Sequence, residues 1–200
     1  MQNDYFKNKS NNYEKDKNRV NNVQNIANCI LKEIEFNKTM HIMDFGSGTG
    51  LLLEKIAPYV KKISAVDLSE SMNKKLSEKK EFLDCELEIH QIDINKSNFT
   101  NKFDCIISSM TLHHIENITL LFEKFYNLLN TNSTIALADL YTEDGSFHTE
   151  DTGVYHFGFS EDEMINIAKK TGFKNIKIQK ASIASKPHGN YPIFLLTASK

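Results

Sequence analysis

His41-Ile42-Met43-Asp44-Phe45-Gly46-Ser47-Gly48-Thr49-Gly50 is the stretch that fixes how the remaining residues are read. A short apolar strand runs into a loop with glycine at alternate positions, and Leu51-Leu52-Leu53 then open a helix. Such a loop lacks Cβ atoms on one side, so a ligand can approach the main chain. The N–H groups of the helix that follows point back at the same spot. Strand, loop and helix together make a nucleotide-type site at the carboxyl end of a strand in an α/β sheet. The glycines at 46, 48 and 50 give D-x-G-x-G-x-G rather than the G-x-G-x-x-G of dinucleotide binders. A dehydrogenase reading therefore has its third glycine out of place.

Composition narrows the classes. Two hundred residues suit one domain with a sizeable core. A net charge of −2 creates no global field toward nucleic acid or an anionic membrane. No apolar run approaches the length of a membrane span, and the polar start Met1-Gln2-Asn3-Asp4 is unlike a signal peptide. Cys29, Cys85 and Cys105 are odd in number and lack C-x-x-C spacing, as expected for reduced thiols in a cytoplasmic protein.

Residues 1–12 are rich in Asn and Lys and are expected to be mobile unless a ligand orders them. Apolar residues at three- and four-residue steps predict a helix over 14–35. Beyond the glycine loop, strands are expected at 63–66, 86–92, 103–108, 133–138, 174–183 and 191–199. Helices are expected at 51–57, at 69–80 capped by Ser69, at 119–129 with Leu120 on the apolar face, and at 160–172. The last has Ser160 and Glu163 as a capping box and Gly172 as its stop. The link over 94–102 is too short for an ordinary crossover helix. The stretch 140–159 is long and irregular, as functional loops are.

Polar signals recur where successive strands close: Asp44, Asp67, Asp93 and Ser108-Ser109. Carboxyl ends of neighbouring parallel strands converge on one crevice. A carboxylate at the second strand end can accept ribose hydroxyls, and one at the third an adenine amino group. An edge lined with carboxylates disfavours phosphates and suits a cationic cofactor without pyrophosphate.

D-F-G-S-G-T-G, A-V-D-L-S-E-S-M (65–72), Q-I-D-I (91–94) and F-D-C-I-I-S-S-M-T-L-H-H-I (103–115) together resemble the small-molecule class I S-adenosylmethionine-dependent methyltransferases. The resemblance runs from about residue 39 to 200. It implies an α/β, Rossmann-like fold: a seven-stranded, mostly parallel sheet of order 3-2-1-4-5-7-6, its last strand antiparallel, with helices on both faces. It divides the chain into an N-terminal tail and lid helix, 1–37, and a methyltransferase domain, 38–200. The implied cofactor is S-adenosyl-L-methionine, leaving as S-adenosyl-L-homocysteine. Asp44, Gly46, Ser47, Gly48, Thr49 and Gly50 would surround its methionine end. Asp67 would bind the ribose with Ser69 beside it, and Leu68 and Met72 would flank the adenine. Asp93 and Ile94 would form the adenine edge, Ser109 would lie near the sulfonium, and Tyr13 and Arg19 would touch the cofactor from ahead of the first strand.

Methyl transfer is an in-line displacement that needs alignment and, for a protonated acceptor, a base. His114 and His148 are the candidate bases. His113, His114, His148 and His156, with Glu150 and Asp151 near, raise a metal site, but no pair has H-x-x-x-H spacing and none is expected. Cys105 reads as core. Phe147, Tyr155, Phe157 and Phe159 either line a pocket or anchor the loop. Ser109-Met110-Thr111-Leu112 replaces Asn/Asp-Pro-Pro-Tyr, which speaks against adenine-N6 and glutamine methylation. The expected partner is a small-molecule acceptor, with no nucleic acid and no membrane, and the chain a monomer or homodimer. Protein or RNA methylation is the alternative, supported by Lys7, Lys9, Lys15 and Lys17, as is a protein that binds the cofactor without chemistry.

Overall fold

The computed structural model describes residues 4, 5, 7, 10–97, 99–150 and 152–200. The expectation of a mobile tail falls partly outside the described residues, as do Lys9 and Asp151. Seven strands form one sheet: β1 (His41–Phe45), β2 (Lys62–Val66), β3 (Glu86–His90), β4 (Phe103–Ser109), β5 (Leu129–Leu140), β6 (Lys174–Lys186) and β7 (Gly189–Ser199). Their order is β3-β2-β1-β4-β5-β7-β6. The pairs among β1 to β5 are parallel, and β7 runs antiparallel between β5 and β6. This is the sheet that the resemblance implies.

Five α-helices cover it: α1 (Lys17–Glu33), α2 (Leu51–Ile56), α3 (Glu70–Ser77), α4 (Ile118–Leu128) and α5 (Glu161–Thr171). Alternation along the buried strands sends side chains to two cores. Ile42, Cys105, Ala136 and Ile193 face α1 and α2, whereas Met43, Ile106, Leu137 and Phe194 face α4 and α5. No helix among the described residues is long and apolar enough to cross a membrane.

Several boundaries differ from the sequence reading, among them β5, which spans Leu129–Leu140 instead of 133–138. The helix expected over 14–35 begins at Lys17, because the Asp16 carboxylate accepts from the amides of Asn18 and Arg19 and caps it there. A 3₁₀ turn, Ser10–Lys15, precedes it. Asn117 caps α4 by accepting from Leu120 N at 2.9 Å, which turns Leu120 outward and Ile118 inward. β3 stops at His90, so Asp93 lies beyond the strand end. The described residues of 91–102 contain no helix; Ile94, with half-buried Ile92 and Phe99, covers the core there.

Elsewhere the local signals act as written. Ser69 Oγ accepts from Met72 N, and Ser160 Oγ accepts from Glu163 N, each at 3.2 Å. Pro187 and His188 turn β6 into β7. The stretch 140–159 is irregular but tied down: Tyr141 bridges to Phe159, Phe159 is fully buried, and Phe147 is buried too. Tyr155 and Phe157 are exposed, so these four aromatics split between anchoring and display. The three cysteines are unbridged, and Cys105 is buried in β4.

Candidate functional site

The strand ends converge as the parallel register dictates. Phe45 lies opposite Ser108, and Ser109 opposite Ala138. Asp44 and Asp139 sit one residue inside the ends of β1 and β5. Above them lies a cavity of about 200 Å³. Its floor is Asp44, Gly46, Ser47, Gly48, Thr49, Ser109 and Met110. Tyr13 and the first turns of α1 roof one side, while Phe147, His148 and Thr152 roof the other, with Ser185 and Lys186 of β6. Met110 is held at φ 59, a conformation uncommon for a non-glycine residue and typical of functional turns.

Two of the loop glycines have separate tasks. Gly48 has φ +53, and a Cβ placed on it would meet nothing within 4 Å; its bare face opens on the cavity. Its amide donates to Asp67 Oδ2 at 2.8 Å. Gly50 has φ +91 and stands ahead of α2, where a Cβ would come within 2.6 Å of Leu76 Cδ1. Gly50 is absent from the cavity lining and serves helix packing.

Buried polar atoms without partners mark the same cavity. Asn22 Oδ1, Asp44 Oδ2, Ser47 Oγ, Thr49 Oγ1 and Ser109 Oγ have no hydrogen bond among the described residues, and all five residues line it. Native interiors seldom leave such atoms unpaired, so the cavity is built for a polar ligand. Burial pushes the Asp44 carboxyl up to about 8, and the Asp67 charge adds to that shift. At neutral pH Asp44 is therefore largely protonated until a cation arrives.

The second carboxylate, Asp67, lies outside the cavity lining and is tied to it through Gly48. Asp67 accepts from the amides of Gly48 and Ser69, each at 2.8 Å, and so holds the glycine loop to the start of α3. Burial raises its pKa, against those two amides. Tyr13 lies alongside: the Arg19 guanidinium is 4.0 Å from its ring centroid and donates to its carbonyl at 2.6 Å. Burial raises the Tyr13 phenol, the Arg19 charge opposes this, and the Asp67 charge reinforces it.

The other expected cofactor residues lie outside the cavity lining. Leu68 is exposed, Met72 and Ile94 are buried, and Asp93 accepts from Asn95 N and pairs with Lys96. Ser69 and Ser71 donate their hydroxyls to Asp4, so the start of the chain lies across the beginning of α3.

At the opposite end three histidines meet. His113 and His114 form a 3₁₀ turn after β4, and His148 comes from the 140–159 loop. Ring centroids are 4.2 Å apart for His113 and His114 and 5.1 Å for His113 and His148. His113 Nδ1 bonds Asp139 Oδ1 at 2.6 Å, and its Nε2 lies 3.2 Å from His148 Nε2. Burial alone would raise Asp139, but the His113 charge and the bonds from His113 and Leu140 hold its carboxyl below the ordinary value. Burial, helped by the charge of His113, lowers His114 to about 4 and His148 to about 3. His156 turns away, with its Nε2 on Ile115 O.

Sequence reasoning found His114 and His148 but assigned no task to Asp139. Its signal was the same as that of the other strand-end acids. Asn22 and Thr152 carried no comparable signal. The grouping of His113 with His148 had none either, because its partners are far apart along the chain.

A mostly parallel sheet of this order, with a glycine loop after β1 and acids at the end of β1 and just past β2, defines a class I methyltransferase-type nucleotide site. A model of the methyltransferase-domain family matches residues 18–178, and the chain belongs to that family. An uncharacterised methyltransferase of Schizosaccharomyces pombe is 29% identical over 168 residues, covering 76% of this chain and 57% of its own. The chain thus spans a little over half the length of that relative. Among solved structures, the methyltransferase in the complex with the Haloferax volcanii Trm112 methyltransferase activator superposes with a TM-score of 0.81 at 14% identity, over 100% of this chain and 99% of that one. Magnesium protoporphyrin IX methyltransferase of Synechocystis, solved with bound S-adenosylmethionine, gives 0.66 at 16% identity, over 92% and 80%.

Proposed function

We propose that this chain transfers a methyl group from S-adenosyl-L-methionine to an oxygen, nitrogen, sulfur or carbon nucleophile on a small molecule. The observation that carries the reading is the set of partnerless polar atoms around Asp44, beside the bare face of Gly48. These suit an amino-acid tail: its ammonium meets the Asp44 carboxylate, and its carboxylate meets the hydroxyls of Ser47 and Thr49, the amides of Gly46, Ser47, Gly48 and Gly50 being engaged within the protein. Asp67 then takes the ribose through the acceptor capacity left on its oxygens. Leu68, Ser69, Met72, Asp93 and Ile94 follow along the adenine edge, and Tyr13 and Arg19 close over it.

The cofactor, when bound, supplies a methyl group on a cationic sulfur that is already a good leaving group. The protein's work is alignment and exclusion of water. Ser109 and Met110 border the place where the methyl faces the acceptor. The histidine cluster borders the acceptor itself, and we assign it the acceptor's proton. A cavity of about 200 Å³ is smaller than the roughly 300 Å³ at which ligand sites begin. Both substrates therefore enter with a shift of the cover, formed by residues 10–23 and the 140–159 loop. A site of this size favours a small acceptor over a folded protein or RNA. Nothing in this reading requires more than one copy of the chain, and its cytoplasmic placement belongs to the same proposal.

Titration calorimetry with S-adenosylhomocysteine tests it. One site per chain and a thermal shift are expected, with no shift from NADH; the reverse pattern would return the site to dinucleotide chemistry.

A further inference from the structure

We propose that His113, His114 and His148 form a binding site for a divalent transition metal ion, zinc being the first candidate, at the acceptor end of the cavity. Among the described residues, these three alone bring metal-ligating atoms together: one ring nitrogen from each lies within 4.8 Å of the other two.

The argument rests on what stands behind each ring. His113 Nδ1 faces the Asp139 carboxylate, His114 Nδ1 faces the carbonyl of Gly153 at 3.2 Å, and His148 Nδ1 faces Thr152 Oγ1 at 3.0 Å. A carboxylate and a carbonyl only accept, and a hydroxyl can accept. Each ring can therefore carry its proton on Nδ1 and present a lone pair on Nε2. Ligating histidines are held in this way, their other nitrogen donating to a carboxylate, carbonyl or comparable oxygen. His113 Nε2 and His148 Nε2 lie 3.2 Å apart. Without a cation, one of them has to carry a proton toward the other. With a cation between them both lone pairs are used, and the His148 proton moves to Nδ1 and the Thr152 hydroxyl. Nitrogens about 2.0–2.1 Å from one tetrahedral ion stand roughly 3.4 Å apart, so the His113–His148 spacing suits ligation, and the His114 nitrogen, within 4.8 Å of both, would have to move closer.

Three imidazoles suit zinc, iron, nickel or copper rather than magnesium or calcium, which take oxygen ligands. Three protein ligands leave a position open, as in catalytic zinc sites. Here that position faces the cavity. The buried Asp139 carboxylate offsets part of the ion's charge, while Lys186, which also lines the cavity, opposes it. The ion's role rests on the methyl-transfer reading and replaces direct proton uptake by the imidazoles, whose lone pairs the ion takes: an acceptor hydroxyl or thiol bound at the open position would lose its proton to water more readily. Its binding does not rest on that reading.

The experiment uses the full chain, stripped with chelator, dialysed and titrated with zinc chloride, and separately with cobalt chloride followed by visible absorption. One equivalent bound is expected, with d–d bands of a tetrahedral or five-coordinate cobalt site. His148→Ala should weaken binding at least about a hundredfold, as should His114→Ala, which spares the buried His113–Asp139 pair. His188→Ala, at the β6–β7 turn and outside the cluster, should bind as the wild type. Absence of stoichiometric binding, or binding that survives both cluster substitutions, overturns the site and leaves the cluster as a chain of imidazoles that passes a proton. Titration with S-adenosylhomocysteine on the same stripped protein reads cofactor binding alone, so failure of the metal site and failure of the methyltransferase reading are told apart.

Discussion

Asp139 accepts a 2.6 Å hydrogen bond from His113 with both side chains sealed from water, joining the end of β5 to the turn after β4. A strand end and the turn beside it are therefore fixed to each other at the cavity wall, which His113 lines. Asp139→Asn keeps the size but loses the charge. It should cost about 1–3 kcal/mol, seen as a fall of several degrees in Tm at neutral pH. The folded-state pKa of Asp139 is depressed, so its stabilisation is present above the unfolded value and is lost as pH falls through the lower folded one. Acid unfolding should lose that component in the variant; superimposable acid limbs would contradict the depressed carboxyl.

Asp44 works in the opposite sense. Its carboxyl is raised to about 8, so the folded state keeps a proton that the unfolded chain gives up near the ordinary value. Stability contributed by this group falls as pH rises between those two values. Asp44→Asn should flatten the fall of Tm between about pH 5 and pH 8. The ligand ammonium needs the ionised form, so wild-type affinity for S-adenosylhomocysteine should rise with pH in the same window, by at most about tenfold per unit. The variant should bind weakly at every pH; equal affinity would remove Asp44 from the cofactor site.

Asp67→Ala should weaken S-adenosylhomocysteine binding at least about tenfold, or about 1.4 kcal/mol. Both the ribose contact and the anchor on the Gly48 amide are lost. Calorimetry giving an unchanged Kd would exclude both.

The glycines should separate by phenotype. Gly50→Ala places a Cβ against Leu76 in a left-handed conformation and should cost at least about 1–2 kcal/mol, with affinity per folded molecule nearly intact. Gly48→Val has room for its first carbon but fills the cavity side, so affinity should fall further than Tm. Thermal melts and calorimetry on the two variants decide the matter, and identical patterns would deny the division of labour.

His148→Ala should lower methyl incorporation from labelled S-adenosylmethionine, assayed with a cell extract as acceptor source, at least about tenfold. S-adenosylhomocysteine affinity should stay within about threefold, because the proposed function gives His148, which lines the cavity, to the acceptor and not to the cofactor. Undiminished incorporation would remove it from the chemistry.

The fold was largely legible because its signals are local. Ser69, Ser160 and Gly172 act through their own neighbours, and alternation in β1, β4 and β7 follows from burial on two faces. Asp16 shows the limit: residues 14–19 are all polar, so apolar periodicity does not mark where the helix starts, and the Asp16 side chain sets that point by accepting from two backbone amides. At the site, Asp44 and the Gly48 loop were visible in one unbroken stretch. The pairing of His113 with Asp139 and His148 was not, because it depends on strand register and on a long loop folding back, neither of which leaves a spacing to read.

The lack of a crossover helix among the described residues between β3 and β4 gives one edge of the sheet a different character. β3 is paired on one side alone, only Leu87 of its residues is fully buried, and residues 91–102 hold it to the core by a few side chains. It should be the first strand whose amides exchange with deuterated water and the last to dock when the chain folds from denaturant. If adenine settles beside Asp93 and Ile94, occupancy will be legible there as slowed exchange, far from the reacting atoms.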